Sequence, residues 1–96
     1  MPTYIVLYNF TDAGAKNIKS TVQASREVRE KQQQRGFQVR ELVWTQGPYD
    51  LVAIVDAPDE ESMMAGLLNI SGAGNVRSLT MRAFTEQEME RIIEKM

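Results

Sequence analysis

Cysteine and histidine are both absent from this chain. Without cysteine there is no disulfide framework, no thiol nucleophile and no thiolate metal site. Without histidine the commonest metal ligand and the commonest general base near neutral pH are missing too. Any chemistry would have to run on Asp, Glu, Tyr, Lys, Arg or a hydroxyl, and the sequence calls for no cofactor and no metal. Basic charge is also short. The 11 Lys and Arg face 13 Asp and Glu, a net charge of −2, which is the wrong balance for gripping a phosphate backbone, so no nucleic-acid partner is expected. No apolar run reaches membrane length, and the N-terminus enters strand-like sequence without the basic-then-apolar pattern of a signal peptide. The expectation is a cytoplasmic protein with no membrane partner. Its 96 residues suit a single domain, residues 1–96, able to bury roughly 60–70% of its unfolded surface.

What is present is organised around Trp44 to Pro58. Gly47-Pro48 reads as a turn, because glycine reaches backbone angles other residues avoid and proline fixes its own φ while donating no ladder hydrogen bond. Leu51 to Val55 is an unbroken apolar run rich in β-branched residues, the mark of a strand covered on both faces. Thr3 to Tyr8 reads the same way, with Ile5 and Leu7 on one face and Tyr4, Val6 and Tyr8 on the other. The strands Phe37 to Gln46 and Val76 to Phe84 alternate in polarity, as edge strands do. Within the first of them Val39 and Val43 are expected on one face and Leu42 and Trp44 on the other.

Helices fill the gaps. A long one is expected from Asp12 to Arg35, with Thr11 as N-cap, a thin stripe of Ala15, Ile18, Val22, Ser25 and Val28, and Gly36 closing it. Its opposite face carries Lys16, Lys19, Arg26, Arg29, Lys31 and Arg35, which read as solvated surface. A second helix starts at Pro58-Asp59-Glu60-Glu61 and ends at Ser71-Gly72, and its Met63, Met64, Leu67, Leu68 and Ile70 read as core. The tail opens with a capping box, Thr85-Glu86-Gln87-Glu88, stapled by Phe84 and Met89. Its stripe of Met89, Ile92, Ile93 and Met96 should dock on the edge of its own sheet or on a partner, because so short a helix is marginal alone.

The order β-α-β-β-α-β-α predicts an α+β fold, a ferredoxin-like βαββαβ antiparallel sheet of strand order 4-1-3-2 with an extra C-terminal helix. Two main helices cover one face only. Val6, Tyr8, Val52 and Ile54 imply apolarity on the other, so a homodimer through the helix-free sheet face is expected, or a higher oligomer built on it.

Several segments together resemble the GYD domain family of the dimeric α/β-barrel superfamily: Asn9-Phe10-Thr11-Asp12; Gly47, Tyr49 and Asp50 of the motif that names the family; Val52 to Pro58; Gly74-Asn75-Val76-Arg77; and Arg82-Ala83-Phe84-Thr85-Glu86. The resemblance runs from end to end and implies a small dimeric barrel. Relatives in the superfamily include cofactor-free monooxygenases, haem enzymes, lactone isomerases and amino-acid-sensing effector domains. Most haem members lean on a histidine that this chain lacks.

With that strand order, the end of the first strand, the hairpin and the start of the fourth strand lie at one end of the sheet. Asn9, Thr11 and Asp12 should therefore meet Tyr49 and Asp50, and Asn75 and Arg77, near Tyr8 and Trp44. Convergent polar groups over an apolar floor suit a small-molecule ligand. Each also has a purely structural reading. Thr11 and Asp12 cap a helix, Tyr49 and Asp50 fix the hairpin, Asn75 serves a turn, and Arg77 pairs with Asp50 or Asp12. Two functions follow: a non-catalytic module binding a small ligand or a protein, or a cofactor-independent monooxygenase or isomerase. The second would use Asp50 as base, with Tyr49 or Arg77 steadying a developing oxyanion.

Overall fold

The pleat of the central strands decides what each face of the sheet carries. In the computed structural model, which describes residues 1–96, the elements run β1 (Thr3–Phe10), α1 (Asp12–Lys16), a 3-10 turn (Ile18–Ser20), α2 (Thr21–Gln34), β2 (Gln38–Trp44), β3 (Leu51–Asp56), α3 (Glu60–Ala73), β4 (Val76–Ala83) and α4 (Glu86–Glu94). All pairings are antiparallel, in the order β2-β3-β1-β4. This is the expected 4-1-3-2 order read from the other edge, in a ferredoxin-like α+β fold with an added C-terminal helix.

On the helix side the cross-strand pairs Tyr4–Val55, Val6–Ala53 and Tyr8–Leu51 line up the core. Val6 is fully buried, and Phe37, Ala57 and Met63 close over it. Side chains alternate along a strand, so Ile5 and Leu7 of β1 and Val52 and Ile54 of β3 point the other way. Val6 and Tyr8, expected to make that far face apolar, belong to the core instead. The molecule is only 18 Å deep in its thinnest direction, about one sheet and one helix layer, so the far face is bare.

A bulge corrects the reading of β2. The register slips between Val39 and Glu41, and the additional residue, Arg40, reverses the parity of everything after it. Val39 and Leu42 therefore share the core side, opposite Val55 and Ala53, while Val43 lies on the bare side opposite Val52. The bulge also aims Arg40 at Asp56, with Nε 2.7 Å from Oδ2, while the Thr3 hydroxyl donates to Oδ1 at 2.6 Å.

The long first helix is in fact two. Asn17 and Ser20 turn their side chains onto local backbone carbonyls, those of Ala13 and Asn17, and such bonds compete with helix continuation. The chain passes through the 3-10 turn, and the stripe stays unburied: Ile18, Val22 and Val28 are all exposed. In α3 the N-cap is Asp59, whose carboxylate accepts from Ser62 N–H at 2.7 Å. The helix runs past Gly72 and closes at Gly74 in the left-handed region. Only one side of its apolar set is core, since Met63 is buried and Leu67 packs on it, whereas Met64 and Leu68 are exposed.

The capping box of α4 is present, with reciprocal bonds between Thr85 and Glu88. Arg82 fixes the base of this helix. It donates to the carbonyls of Thr3 and Ala83, lies 4.4 Å from the Phe84 ring centre and reaches Glu88 at 3.7 Å. The stripe itself docks on nothing in the chain: Met89, Ile92, Ile93 and Met96 are exposed.

Asp56 allows a pH test. Burial would raise its pKa, but the hydrogen bonds from Thr3 and Arg40, with the Arg40 charge, outweigh burial and hold it below the ordinary 3.8. A carboxyl depressed by folding stabilises the native state above its unfolded pKa, and that contribution is lost as pH falls through the folded value. Asp56→Asn should therefore cost about 1–2 kcal/mol at neutral pH. In urea melts the gap from wild type should shrink as the pH is taken below 3.8. A gap that does not change with pH would mean the Asp56 charge contributes nothing.

Candidate functional site

Three distant segments meet where β1 ends, the hairpin turns and β4 begins. The Asp50 amide donates to the Tyr8 carbonyl at 2.8 Å, and its Oδ2 accepts from the Phe10 amide at 2.9 Å. The Thr45 amide donates to the Asp50 carbonyl at 2.8 Å and its hydroxyl to the Tyr49 carbonyl at 2.5 Å, closing the turn. On the other flank the Thr11 hydroxyl donates to the Gly74 carbonyl at 2.6 Å and its amide to the Asn75 carbonyl at 3.0 Å. The same hydroxyl oxygen caps α1 by accepting from Gly14 N–H at 3.2 Å. Gly14 has to be a glycine, since a Cβ there would stand 2.1 Å from the Asn75 carbonyl oxygen.

The backbone segments converge, yet their side chains part company. Asp50 and Thr11 are committed to backbone partners. Asp12 is exposed in the first turn of α1, where its charge suits the positive end of the helix. Asn9 pairs with Arg77 across β1 and β4, and both follow the pleat onto the bare face. Arg77 ion-pairs with neither Asp50 nor Asp12; the ion pairs of the chain are Arg40–Asp56 and Arg82–Glu88. Tyr49 is half-buried. Trp44 leaves the cluster, its indole N–H donating to Thr21 Oγ1 on α2 at 3.2 Å.

Tyr8 and Asn75 instead line an open cleft of about 800 Å³ between the core face of the sheet and helices α2 and α3, within the size range of ligand sites. Its floor is apolar, with Leu42, Leu51 and Val55. Its walls are built largely of small residues, Ala24 and Ser25 from α2 and Ala65, Gly66 and Ala73 from α3. These recur at helical spacing, and that spacing was the available signal for the cleft: two helix faces too small to fill the space above the sheet. No Asp or Glu lines it, whereas Arg29, Lys31 and Arg35 do. Of these cations, all read from the sequence as solvated surface, Lys31 and Arg35 are indeed exposed and only Arg29 is half-buried. Burial pushes the Tyr8 phenol up to about 12, so it stays a neutral hydroxyl. No group of three or more acidic side chains stands close enough to hold a metal ion.

The GYD domain model matches residues 4–93. This chain belongs to the GYD domain family. A relative from Thermus thermophilus, the glutamine synthetase and cystathionine beta-lyase binding protein, is 34% identical to this GYD domain over 85 residues, covering 86% of this chain and 88% of its own. Among solved structures, that of MtbAldR superposes with a TM-score of 0.68 at 20% identity, covering 88% of this chain. The GYD domain spans only 54% of the MtbAldR chain. An FFRP crystal structure superposes with a TM-score of 0.55 at 18% identity, covering 88% of this chain and 100% of its own. At those identities the two structures speak for the fold alone. No helix of this GYD domain is long and apolar enough to cross a membrane.

Two glycines test the clasp at the end of the sheet. Gly47 has φ 131° with nothing near its missing Cβ, whereas Gly14 faces a backbone oxygen. Gly47→Ala should cost about 1 kcal/mol through backbone strain alone. Gly14→Ala must move the β4 entry and should cost about 2–3 kcal/mol. Thermal melts that rank the two the other way round would show that the Thr11–Asn75 junction is soft.

Proposed function

We propose that this GYD domain, residues 1–96, is a homodimer formed through the helix-free sheet face and that it binds protein partners without catalysing a reaction. The observation that carries the reading is the make-up of the bare face. Two rungs cross it, Val43-Val52-Leu7-Leu79 and Glu41-Ile54-Ile5-Met81. Seven of those eight positions are apolar, and Val43, Leu79 and Met81 are each more than two-fifths exposed. Thr3, Asp56, Asn9 and Arg77 rim the patch with polar groups. A continuous apolar patch with a polar rim on a twisted sheet is suited to packing against its own copy about 10 Å away.

The α4 stripe is a second exposed apolar surface, and it supports binding to a different protein. The Thermus relative is named for binding two enzymes, and we infer the same class of partner here. The cofactor-independent monooxygenase or isomerase draws less support. Its base would be Asp50, whose carboxylate accepts from the Phe10 amide, and Arg77 stands on the bare face away from it.

Sedimentation velocity at micromolar concentration should report a dimer. Leu79→Lys should yield a folded monomer, since Leu79 is 51% exposed in the single chain and its loss threatens only the interface. A monomeric wild type would overturn the dimer. Purified glutamine synthetase and cystathionine β-lyase should each be tested for co-sedimentation, with Ile93→Asp expected to weaken any complex by about tenfold or more. Failure of both enzymes to bind would end the inference from the relative while leaving the dimer standing.

A further inference from the structure

The cleft between α2 and α3 lies across the sheet from the bare face, and the chain does not fill it. Its size follows from the sequence. Ala24, Ser25, Ala65 and Ala73 turn short side chains toward a floor of Leu42, Leu51 and Val55. Small residues on helices usually permit close approach, but here the gap of about 800 Å³ remains. The α3 helix comes down on the core through Met63 and Leu67 and at Gly66, where the Phe37 ring lies 3.5 Å from where a Cβ would stand.

The charge of the lining is one-sided. Arg29, Lys31 and Arg35 line the cleft with no carboxylate among the lining residues, and none of the three is ion-paired. Lys31 and Arg35 are exposed at the rim. Arg29 differs: its Nε is buried and has no hydrogen-bond acceptor in the chain. The Arg29 side chain as a whole is half-buried, and a carboxylate is the group that best matches the planar fork of a guanidinium. The Tyr8 hydroxyl likewise makes no hydrogen bond within the chain, so a second donor is free beside the apolar floor.

We propose that this cleft binds a small amphipathic carboxylic acid, an alkyl or aryl carboxylate, with its apolar part on Leu42, Leu51 and Val55 and its carboxylate on the Arg29 guanidinium. An uncharged apolar occupant, or an apolar helix of a second copy, would leave the three cations of the lining without a counter-charge. The site is separate from the sheet face and from α4, so it stands or falls independently of the protein-binding reading.

Trp44 is the chain's one tryptophan, and its indole donates to Thr21, a lining residue of the cleft. Its fluorescence therefore reports occupancy. The probes are octanoate and octan-1-ol, which share a tail and differ in charge. Octanoate should give a saturable change at one molecule per chain, with octan-1-ol about tenfold weaker or worse. Arg29→Met keeps the stem and removes the fork, so it should erase that preference while octan-1-ol binding is retained. Ala65→Phe should obstruct the cleft and weaken both; if it fails to fold, Ala24→Leu serves the same purpose. Absence of saturable octanoate binding would overturn the proposal, as would equal affinity for the two probes or an Arg29→Met protein with the wild-type preference. Stoichiometry that changes with protein concentration would assign the signal to chain association and overturn it too.

Discussion

A sheet has two faces, and in this protein helices are available for only one of them. The central strands β1 and β3 alternate apolar residues onto both sides, so whichever face the helices take, the other stays apolar and wet. An apolar face of this size left in water is an interface or a liability. The remaining features follow from that division. The polar cluster Thr3–Asp56–Arg40 marks one border of the bare face, and the Asn9–Arg77 pair marks the other. The bulge at Arg40 brings Val43 onto the bare rung and returns Leu42 to the core, so one inserted residue serves both faces.

The helix side is not simply a finished core set against an unfinished sheet face. Its packed part is small and lies around Val6, Ala53, Phe37 and Met63, where α3 begins. Away from there α2 and α3 present small residues such as Ala24, Ser25, Ala65 and Ala73, and the space between them and the sheet stays open. Dispersion contacts fall off steeply with distance, so an unfilled gap of this size forgoes much of what burial could contribute. The domain therefore draws stability from backbone pairing across four strands and from a few local devices. These include the Asp56 cluster, the Arg82 bridge to α4 and the junction of Thr11 with Gly74 and Asn75. The helix-side cleft and the bare sheet face are thus two consequences of one economy in large apolar side chains.

The fold was legible because strand identity and order depend on features a linear reading can see: unbroken apolar runs at Thr3–Tyr8 and Leu51–Val55, alternation elsewhere, and turn residues between. The capping box at Thr85 was legible for the same reason, since all of its partners lie within four positions. What escaped were effects of parity and phase. A single bulge at Arg40 moved Val43 across the sheet, and nothing in Val39-Arg40-Glu41-Leu42 announces it. Side-chain bonds at Asn17 and Ser20 mark the break of a helix whose composition favoured continuity, and Arg29, four residues after Ser25, shares its face toward the cleft. At the candidate site, topology correctly brought the segments together, because strand order alone decides which ends meet. Where each side chain points once there depends on pleat and on competition for backbone donors, which residue types do not encode.

That competition explains why the residues that mark the family sit where they do. Asp50 sits at the corner where the hairpin returns to the central strand. Its amide reaches the Tyr8 carbonyl and its carboxylate reaches the Phe10 amide two residues on, so one residue satisfies two groups of β1 just where its ladder with β3 ends. A carboxylate serves here because the end of a strand leaves a donor that no neighbouring carbonyl can reach. Gly47 supplies the backbone angle that brings the chain round to Asp50, and the Tyr49 carbonyl accepts the Thr45 hydroxyl that holds the turn closed. Thr11 does the equivalent work on the β4 side. The bonds of Asp50 and Thr11 hold pieces of backbone that are far apart in sequence, and together they fix the end of β1 from both flanks. The rigid strand end so produced carries Tyr8, whose ring forms part of the cleft floor. Residues whose polar groups are spent on backbone can thus shape a cleft that their own side chains do not line.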